Sequence, residues 1–445
     1  MTSGQDAWHH LREVAVTTLQ DNFQQTHTVP SRTLYPHQWS WDAGFIAIGL
    51  AHVAPERAWR DLRSMFEAQW DDGRVPHIAF DTENNAREYF PGPRFWASDE
   101  VPGTPSRPTS GIVQPPIHAV GAWEVYRRAT DPDARRAAVA ELTWLYPRLV
   151  AQQRYLAKER DVAGGGLACL VHPWESGLDN SPAWDDALAA VPPDPDFQVR
   201  QHRRDLAVSE ESHRPTDTDY SRYIALARAY RSQDYLDKRL AERHLFLVEC
   251  PAFNAIVGAA EHALAEIAQV VGQDPAPHRA RAAEITRALV ARLYDPATGI
   301  FHARDVRTDR LNPRRCVNGL VPLILPDLPE EQVAGILAEA GSARFGWPER
   351  TGMPLPSYDR TAPDADPLRY WRGPVWININ WLLWRGLRLH GRHELAAGLR
   401  RSMLDLVARS GCFEYFHPDT GEGIGTAEFS WTAALVLDLL AHPDE

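Results

Sequence analysis

An all-α fold is what this sequence predicts: one unit of stacked helical hairpins closing into a ring. Three observations carry that reading. The dominant hydrophobic period along the 445 residues is helical, about a dozen segments show it, and no Pro/Gly/Ser-rich linker divides them. Few stretches read convincingly as strands.

Taken in order, helical spacing covers 7–25 and 41–53. In 55–70 the residues Ala58, Trp59, Leu62, Met65, Phe66 and Trp70 fall on one face. Helices follow at 117–129, 133–158 and 217–232. Ala255, Ile256, Ala259, Ala260, Ala263, Leu264, Ile267, Val270 and Val271 repeat the pattern, as do Ile285, Ala288, Leu289 and Leu293. Beyond them come 329–340, 374–388, 392–410 and 426–440. The 374–388 segment is apolar nearly all round after Pro374, as a helix covered on both sides would be. Asp295-Pro-Ala-Thr-Gly299 and His417-Pro-Asp-Thr-Gly421 form a weak internal echo, each after a helix and an aromatic residue. The chain therefore reads as one domain, 1–445, with loop insertions about 71–115 and 159–215 and a third non-helical stretch at 341–372. Loops of that length in a compact domain are usually functional.

Composition narrows the function. The chain is 44% hydrophobic and 24% charged, enough for a large core. Its net charge of −12 argues against a nucleic-acid partner, because phosphate binding needs a basic face. No apolar run is long enough for a membrane span. The N-terminal residues lack a basic head followed by an apolar stretch, so no signal peptide is expected. Cys169, Cys250, Cys316 and Cys412 are far apart, which indicates neither a disulfide framework nor a zinc ribbon and points to the cytoplasm. The oligomeric state stays open, a homo-oligomer included. Lys158 and Lys238 are the only lysines, which thins the field for Schiff-base and P-loop chemistry. Sixteen Trp outnumber fourteen Phe and thirteen Tyr, and several sit among polar residues at Pro- and Gly-rich turns. Broad rigid rings on loops suit a sugar cleft, since a pyranose has an apolar face and a polar edge.

Three motifs can carry chemistry. Tyr35-Pro-His-Gln-Trp-Ser-Trp-Asp42 sits at the mouth of a helix, where Asp42 could cap it or bind sugar hydroxyls. Trp174-Glu-Ser-Gly-Leu-Asp-Asn180 places Glu175 and Asp179 in a polar loop beside an indole. Such a carboxyl can stay protonated and donate to a glycosidic oxygen; the plainer reading is a turn capped by Asp179 or Asn180. In Phe413-Glu-Tyr-Phe416, Glu414 is flanked by aromatics and fits a general base better than Asp419 or Glu422. Eighteen histidines form no HExxH pair, so no metal is expected. No GxGxxG after a strand, P-loop or GxSxG elbow is present, so no nucleotide cofactor is expected either. His77, His118 and His417 keep a sugar epimerase or lyase as an alternative.

Eight segments in order, YPHQWSWDAGF, VPHIAF, YFPGP, SGIVQPPIHA, WESGLDNSP, RPTDTDY, YWRGPVWININWLL and FEYFHPDTGEG…FSWTAAL, span residues 35–435. Together they resemble glycoside hydrolase family 63, within it the bacterial mannosylglycerate and glucosylglycerate hydrolases. The resemblance implies an (α/α)6 barrel and an inverting, metal-free hydrolysis of a small α-glucoside or α-mannoside. It implies Asp179 as general acid and Glu414 as general base. Tyr35, Trp39, Trp41, Asp42, Gln114, Trp371 and Trp376 match segments that hold the transferred sugar. Tyr89, Arg214 and Tyr220 match positions that hold the leaving acid. At Glu428 this chain has a carboxylate where glycerate-specific members can offer a neutral polar side chain. A neutral glycoside, such as glucosylglycerol or a disaccharide, is therefore the alternative substrate.

Overall fold

The computed structural model describes residues 3–81, 89–197, 199, 203 and 210–442. Parts of the two expected loop insertions therefore lie outside the described residues. Twelve helices of eleven residues or more are present among those described: α1 (Ser3–Asp21), α2 (Ser40–Leu50), α3 (Pro55–Glu67), α4 (His118–Arg128), α5 (Pro132–Glu159), α6 (Asp217–Arg231), α7 (Pro251–Val270), α8 (Ala276–Leu293), α9 (Glu330–Ala340), α10 (Ile377–Leu389), α11 (His393–Ser410) and α12 (Ser430–Ala441).

Packing sorts these elements into two rings. Helix α2 packs on α4, α4 on α7, and α10 on α12, which returns to α2. Between α7 and α10 the sixth inner position is held by short 3-10 turns, Val317–Gly319 and Val321–Ile324, and not by an α-helix. Outside this ring, α1 lies on α12, α3 on α2, α5 on α4 and α7, α8 on α7, and α11 on α10. Helix α9 packs against the strand Ile300–Phe301. Outer and inner elements alternate along the chain, which makes the fold an (α/α)6 barrel. The count of twelve long helices thus matches for a different reason than the sequence implied. Helix α6 stands outside the alternation in the cover over the mouth, and the 3-10 turns take the vacant inner place.

Burial explains the two kinds of helix. All eleven residues of α2 are buried, as are Ser430–Leu439 of α12 and Ile377–Trp384 of α10. A helix enclosed on every side must be apolar all round, whereas α3 and α11 need only one apolar stripe. Three predicted starts shift, and α1 runs Ser3–Asp21 where helical spacing predicts 7–25. Val375 exchanges backbone hydrogen bonds with Phe416 at 2.8 and 3.0 Å, so α10 begins at Ile377 and not at 374. Residues 426–429 likewise stay outside α12. Both echoed turns close hairpins, Tyr294–Asp295 on Ile300–Phe301 and Tyr415–Phe416 on Gly423–Ile424.

The C-terminal ends of the inner helices are tied by buried charge. Asp438 on α12 accepts from Trp381 Nε1 at 2.9 Å and Arg128 Nη2 at 2.6 Å, and His52 Nε2 lies 2.9 Å from it. Glu124 on α4 accepts from Arg128 and Arg385, each at 2.6 Å. Burial alone would raise both carboxyls. The Arg385 and Arg128 charges outweigh it at Glu124, and the His52 hydrogen bond and Arg128 outweigh it at Asp438, holding each at about 2. A carboxyl depressed in the folded state stabilises it above the unfolded value and loses that contribution as pH falls through the folded value. Acid destabilisation is therefore expected to begin below about pH 4.5 and continue towards pH 2. Asp438→Asn should lower unfolding free energy at pH 7 by on the order of 2 kcal/mol and weaken that acid dependence. Urea titrations at pH 7 and pH 3 giving the same pH slope in both proteins would remove this network from the explanation.

Candidate active site

The N-terminal ends of the inner helices point to one mouth, where a cavity of about 150 Å³ opens. Tyr35, Trp39, Trp41, Asp42, Tyr89, Gln114, Asp179, Arg214, Tyr220 and Glu414 all line it. Ten of the twelve residues chosen from sequence therefore meet in one place. Trp371 and Trp376 do not reach the lining. They stack on each other at 3.8 Å, and Trp376 Nε1 donates to the Tyr370 carbonyl at 3.0 Å. Their neighbour Tyr370 lines the cavity instead, at φ +41°, a left-handed conformation uncommon for a bulky side chain. Glu428 is exposed and outside the lining, so its carboxylate does not oppose an anion there.

Local backbone places each group. Pairing of Gln38–Trp39 with Ile78–Ala79 sets Trp39 beside His77. Trp41 N–H donates to Gln114 Oε1 at 3.3 Å. The 174–180 loop hangs on Glu175, which is fully buried. Its carboxylate takes Arg160 Nη1 and Nη2, each at 2.8 Å, Val171 N–H at 2.7 Å and Val113 N–H at 3.2 Å. Glu175 is thus a framework residue, and its partner in the motif, Asp179, faces the cavity. The Asp179 carbonyl accepts from Trp184 Nε1 at 2.9 Å and the Tyr223 hydroxyl at 3.1 Å.

The two carboxyls occupy different surroundings. Burial and the nearby Glu414 charge push Asp179 up to about 7, and Arg214 only partly offsets them. Glu414 accepts from the Tyr35 hydroxyl at 2.9 Å, the Tyr370 hydroxyl at 3.1 Å, Arg214 Nη2 at 3.1 Å and Thr426 N–H at 3.4 Å. Four donors thus converge on one carboxylate, a set of contacts that Asp179 does not have. Burial raises Asp42 well above the usual carboxylate range, with Glu414 and Asp179 adding to it.

Of the histidines an epimerase would use, only His77 lines the cavity. Burial, with His172 nearby, holds it down at about 3, so it stays neutral near pH 7. His118 is fully buried against the Ser40 carbonyl, and His417 accepts from main-chain N–H groups of its hairpin turn. Among the described residues no group of three or more His, Cys, Asp or Glu is placed to hold a metal.

Residues 35–432 match the model of the mannosylglycerate hydrolase MGH1-like glycoside hydrolase domain. The chain belongs to this glycoside hydrolase family. It is 38% identical over 429 residues to a mannosylglycerate hydrolase of Rubrobacter radiotolerans, covering 96% of each chain. It is 37% identical over 441 residues to a glucosylglycerate hydrolase of Mycolicibacterium hassiacum, again covering 96% of each. The crystal structure of the GH63 mannosylglycerate hydrolase from Thermus thermophilus in complex with Tris superposes with a TM-score of 0.88 at 38% identity, over 97% of this chain and 100% of that one. The protein is therefore a glycoside hydrolase, and the cavity is the candidate active site of this family member.

Gly177 links the two halves of the cavity. It has φ +71°, and a Cβ there would lie 2.5 Å from the Trp41 ring. Gly177→Ala should displace that ring and twist the loop that carries Asp179. Because a 1 Å misplacement can cost about 100-fold, kcat/KM is expected to fall by roughly that factor with the helical circular dichroism unchanged. Near-normal kcat/KM would mean that the close approach of Trp41 is dispensable.

Proposed function

We propose that the chain, as one catalytic domain over 1–445, hydrolyses glucosylglycerate or mannosylglycerate with inversion. The single observation that carries this reading is one cavity holding two carboxyls in different surroundings: Asp179, raised by burial, and Glu414, in contact with four donors. The relatives named for those substrates support the choice of glycoside. Four buried free cysteines fit a cytoplasmic enzyme acting on a small solute. No described helix is long and apolar enough to cross a membrane.

In this mechanism Glu414 takes a proton from water as its oxygen attacks the anomeric carbon. The glycosidic carbon–oxygen bond breaks, its electron pair goes to the leaving oxygen, and Asp179 delivers the proton that oxygen needs. Trp39, Trp41, Asp42 and Gln114 hold the sugar. Arg214, Tyr89 and Tyr220 face the leaving acid, where a guanidinium offers a carboxylate two parallel donors that lysine cannot.

An α-linked substrate should release the β-anomer first, read by proton NMR within the first turnovers. Initial α-anomer would overturn inversion. Asp179→Asn and Glu414→Gln should each lower kcat by roughly 10²–10⁴-fold or more without unfolding the chain. The raised Asp179 carboxyl gives the pH dependence its sign. A general acid must be protonated, so kcat/KM should decline as pH rises through about 7. A profile flat from pH 6 to 9 would remove Asp179 from that role.

A further inference from the structure

Three carboxyls line the cavity, Asp42, Asp179 and Glu414, against one guanidinium among the described residues, Arg214. That guanidinium is already engaged. Its Nη2 lies 3.1 Å from Glu414 Oε2 and its Nη1 3.3 Å from the Tyr35 hydroxyl, while its carbon sits 4.7 Å over the Tyr370 ring. Arg214 and Glu414 are 3% and 1% exposed, so water screens their attraction poorly. A substrate whose leaving group bears a carboxylate meets no other cation on the described lining. On that lining it takes Arg214 in common with Glu414.

We propose that the carboxylate of the leaving acid acts as an electrostatic co-activator, drawing Arg214 away from Glu414 so that the base is stronger and the acid stays protonated while substrate is bound. The inference rests on the roles given above to Asp179 and Glu414.

Elementary electrostatics sets both signs. A cation beside a carboxylate lowers its proton affinity, and a second anion at that cation restores it. Before substrate binds, Arg214 shares Glu414 with Tyr35, Tyr370 and the Thr426 N–H, and its positive charge opposes proton uptake there. With the substrate carboxylate present it accepts a proton from water more readily. Asp179 feels Glu414 and Arg214 with opposite signs. Neutralising Arg214 leaves the repulsion from Glu414 unopposed and extends the protonated form of Asp179 to higher pH. The other titratable groups facing these three are Asp42 and Tyr35 from the start of α2 and the segment before it, Tyr370, Tyr415 under Arg214, and Tyr223 of α6. Burial raises Tyr35, Tyr223 and Tyr370 well above the ordinary phenol value, and His77 is neutral, so none of these four changes charge near pH 7. Asp42 is held towards its neutral form by burial, and an added anion moves it further that way.

The test compares pH profiles for two α-glycosides of the same hexose, one of glycerate and one of glycerol, which differ by a carboxylate against a CH2OH. Limbs of kcat/KM report the free enzyme and should coincide. Both limbs of kcat report the bound complex and should lie about one pH unit higher for the glycerate glycoside. An independent arm uses the glycosyl fluoride of that hexose, whose leaving group has little need of the acid. Saturating D-glycerate should raise the acidic limb of its kcat by a similar amount. Coincident kcat limbs for the two glycosides, or an acidic limb that D-glycerate does not move, would overturn the inference. Failure to cleave the glycerate glycoside at all would instead overturn the proposed function, so the two failures are distinguishable.

Discussion

The site depends on one buried ion pair. Glu175 and Arg160 are both essentially inaccessible and meet through two hydrogen bonds of 2.8 Å. The same carboxylate also collects the N–H groups of Val113 and Val171, so it joins the end of α5, the strand Cys169–Leu170 and the segment before α4. Irregular backbone can lie this deep only if its polar groups find partners, and Glu175 supplies them. Arg160 is held in turn by the Tyr155 hydroxyl at 2.9 Å and by Asp237 at 2.9 Å. Removing one member of such a pair leaves a buried charge without its counterpart, at a cost of about 3–5 kcal/mol. The pair therefore fixes the loop geometry four residues from Asp179, and the cavity inherits its precision from a contact outside its lining.

That arrangement separates framework charge from reactive charge. Glu175, Glu124 and Asp438 are each matched by one or more cations in direct contact. In the cavity the ratio is reversed, with three carboxyls around Arg214. Excess negative charge in a poorly hydrated space cannot be fully ionised, so protons are retained where the cation is least effective. Burial and neighbouring carboxylates raise Asp179 and Asp42, whereas Glu414 has Arg214, two phenols and an N–H in contact. A donor and an acceptor of protons arise from the same residue chemistry because one cation is placed asymmetrically among three acids.

Much of this was legible in the sequence, for identifiable reasons. Periodicity found every long helix, because a buried stripe imposes its spacing on the residues. Aromatic loops and two carboxyl motifs marked the cavity, because sugar faces and proton transfer need those side chains. Helix α6 and the 3-10 turns exchanged places in the architecture, since periodicity tells whether a segment is helical but not which ring it joins. The resemblance of their segment puts Trp371 and Trp376 with the sugar, and a motif does not reveal which face an indole presents. Tyr370 was missed for the complementary reason. Its role comes from a left-handed backbone that turns the phenol towards Glu414, and no residue type announces that conformation in a tyrosine. The contact between Arg214 and Glu414 spans 200 positions in the chain and follows from closure of the ring, not from either motif.

The ring also dictates where function can sit. Inner helices enclosed on all sides have no polar face for a substrate, and a charge in mid-helix is tied to a neighbouring element, as Glu261 of α7 is to His278 at 2.6 Å. Reactive groups are confined to first turns and to the loops that precede them, as Asp42 on α2, Gln114 before α4 and Glu414 before α12 show. Those ends carry free N–H groups and the positive ends of the helix dipoles. Such a mouth attracts negative charge, and filling it with three carboxyls balances the dipoles more effectively than it would at the opposite end. At that opposite end the polarity is inverted, and Arg128, Arg385 and His52 gather there with Glu124 and Asp438. The division of the barrel into an acidic, reactive mouth and an inert base where arginines match the buried acids therefore follows from the common direction of its inner helices.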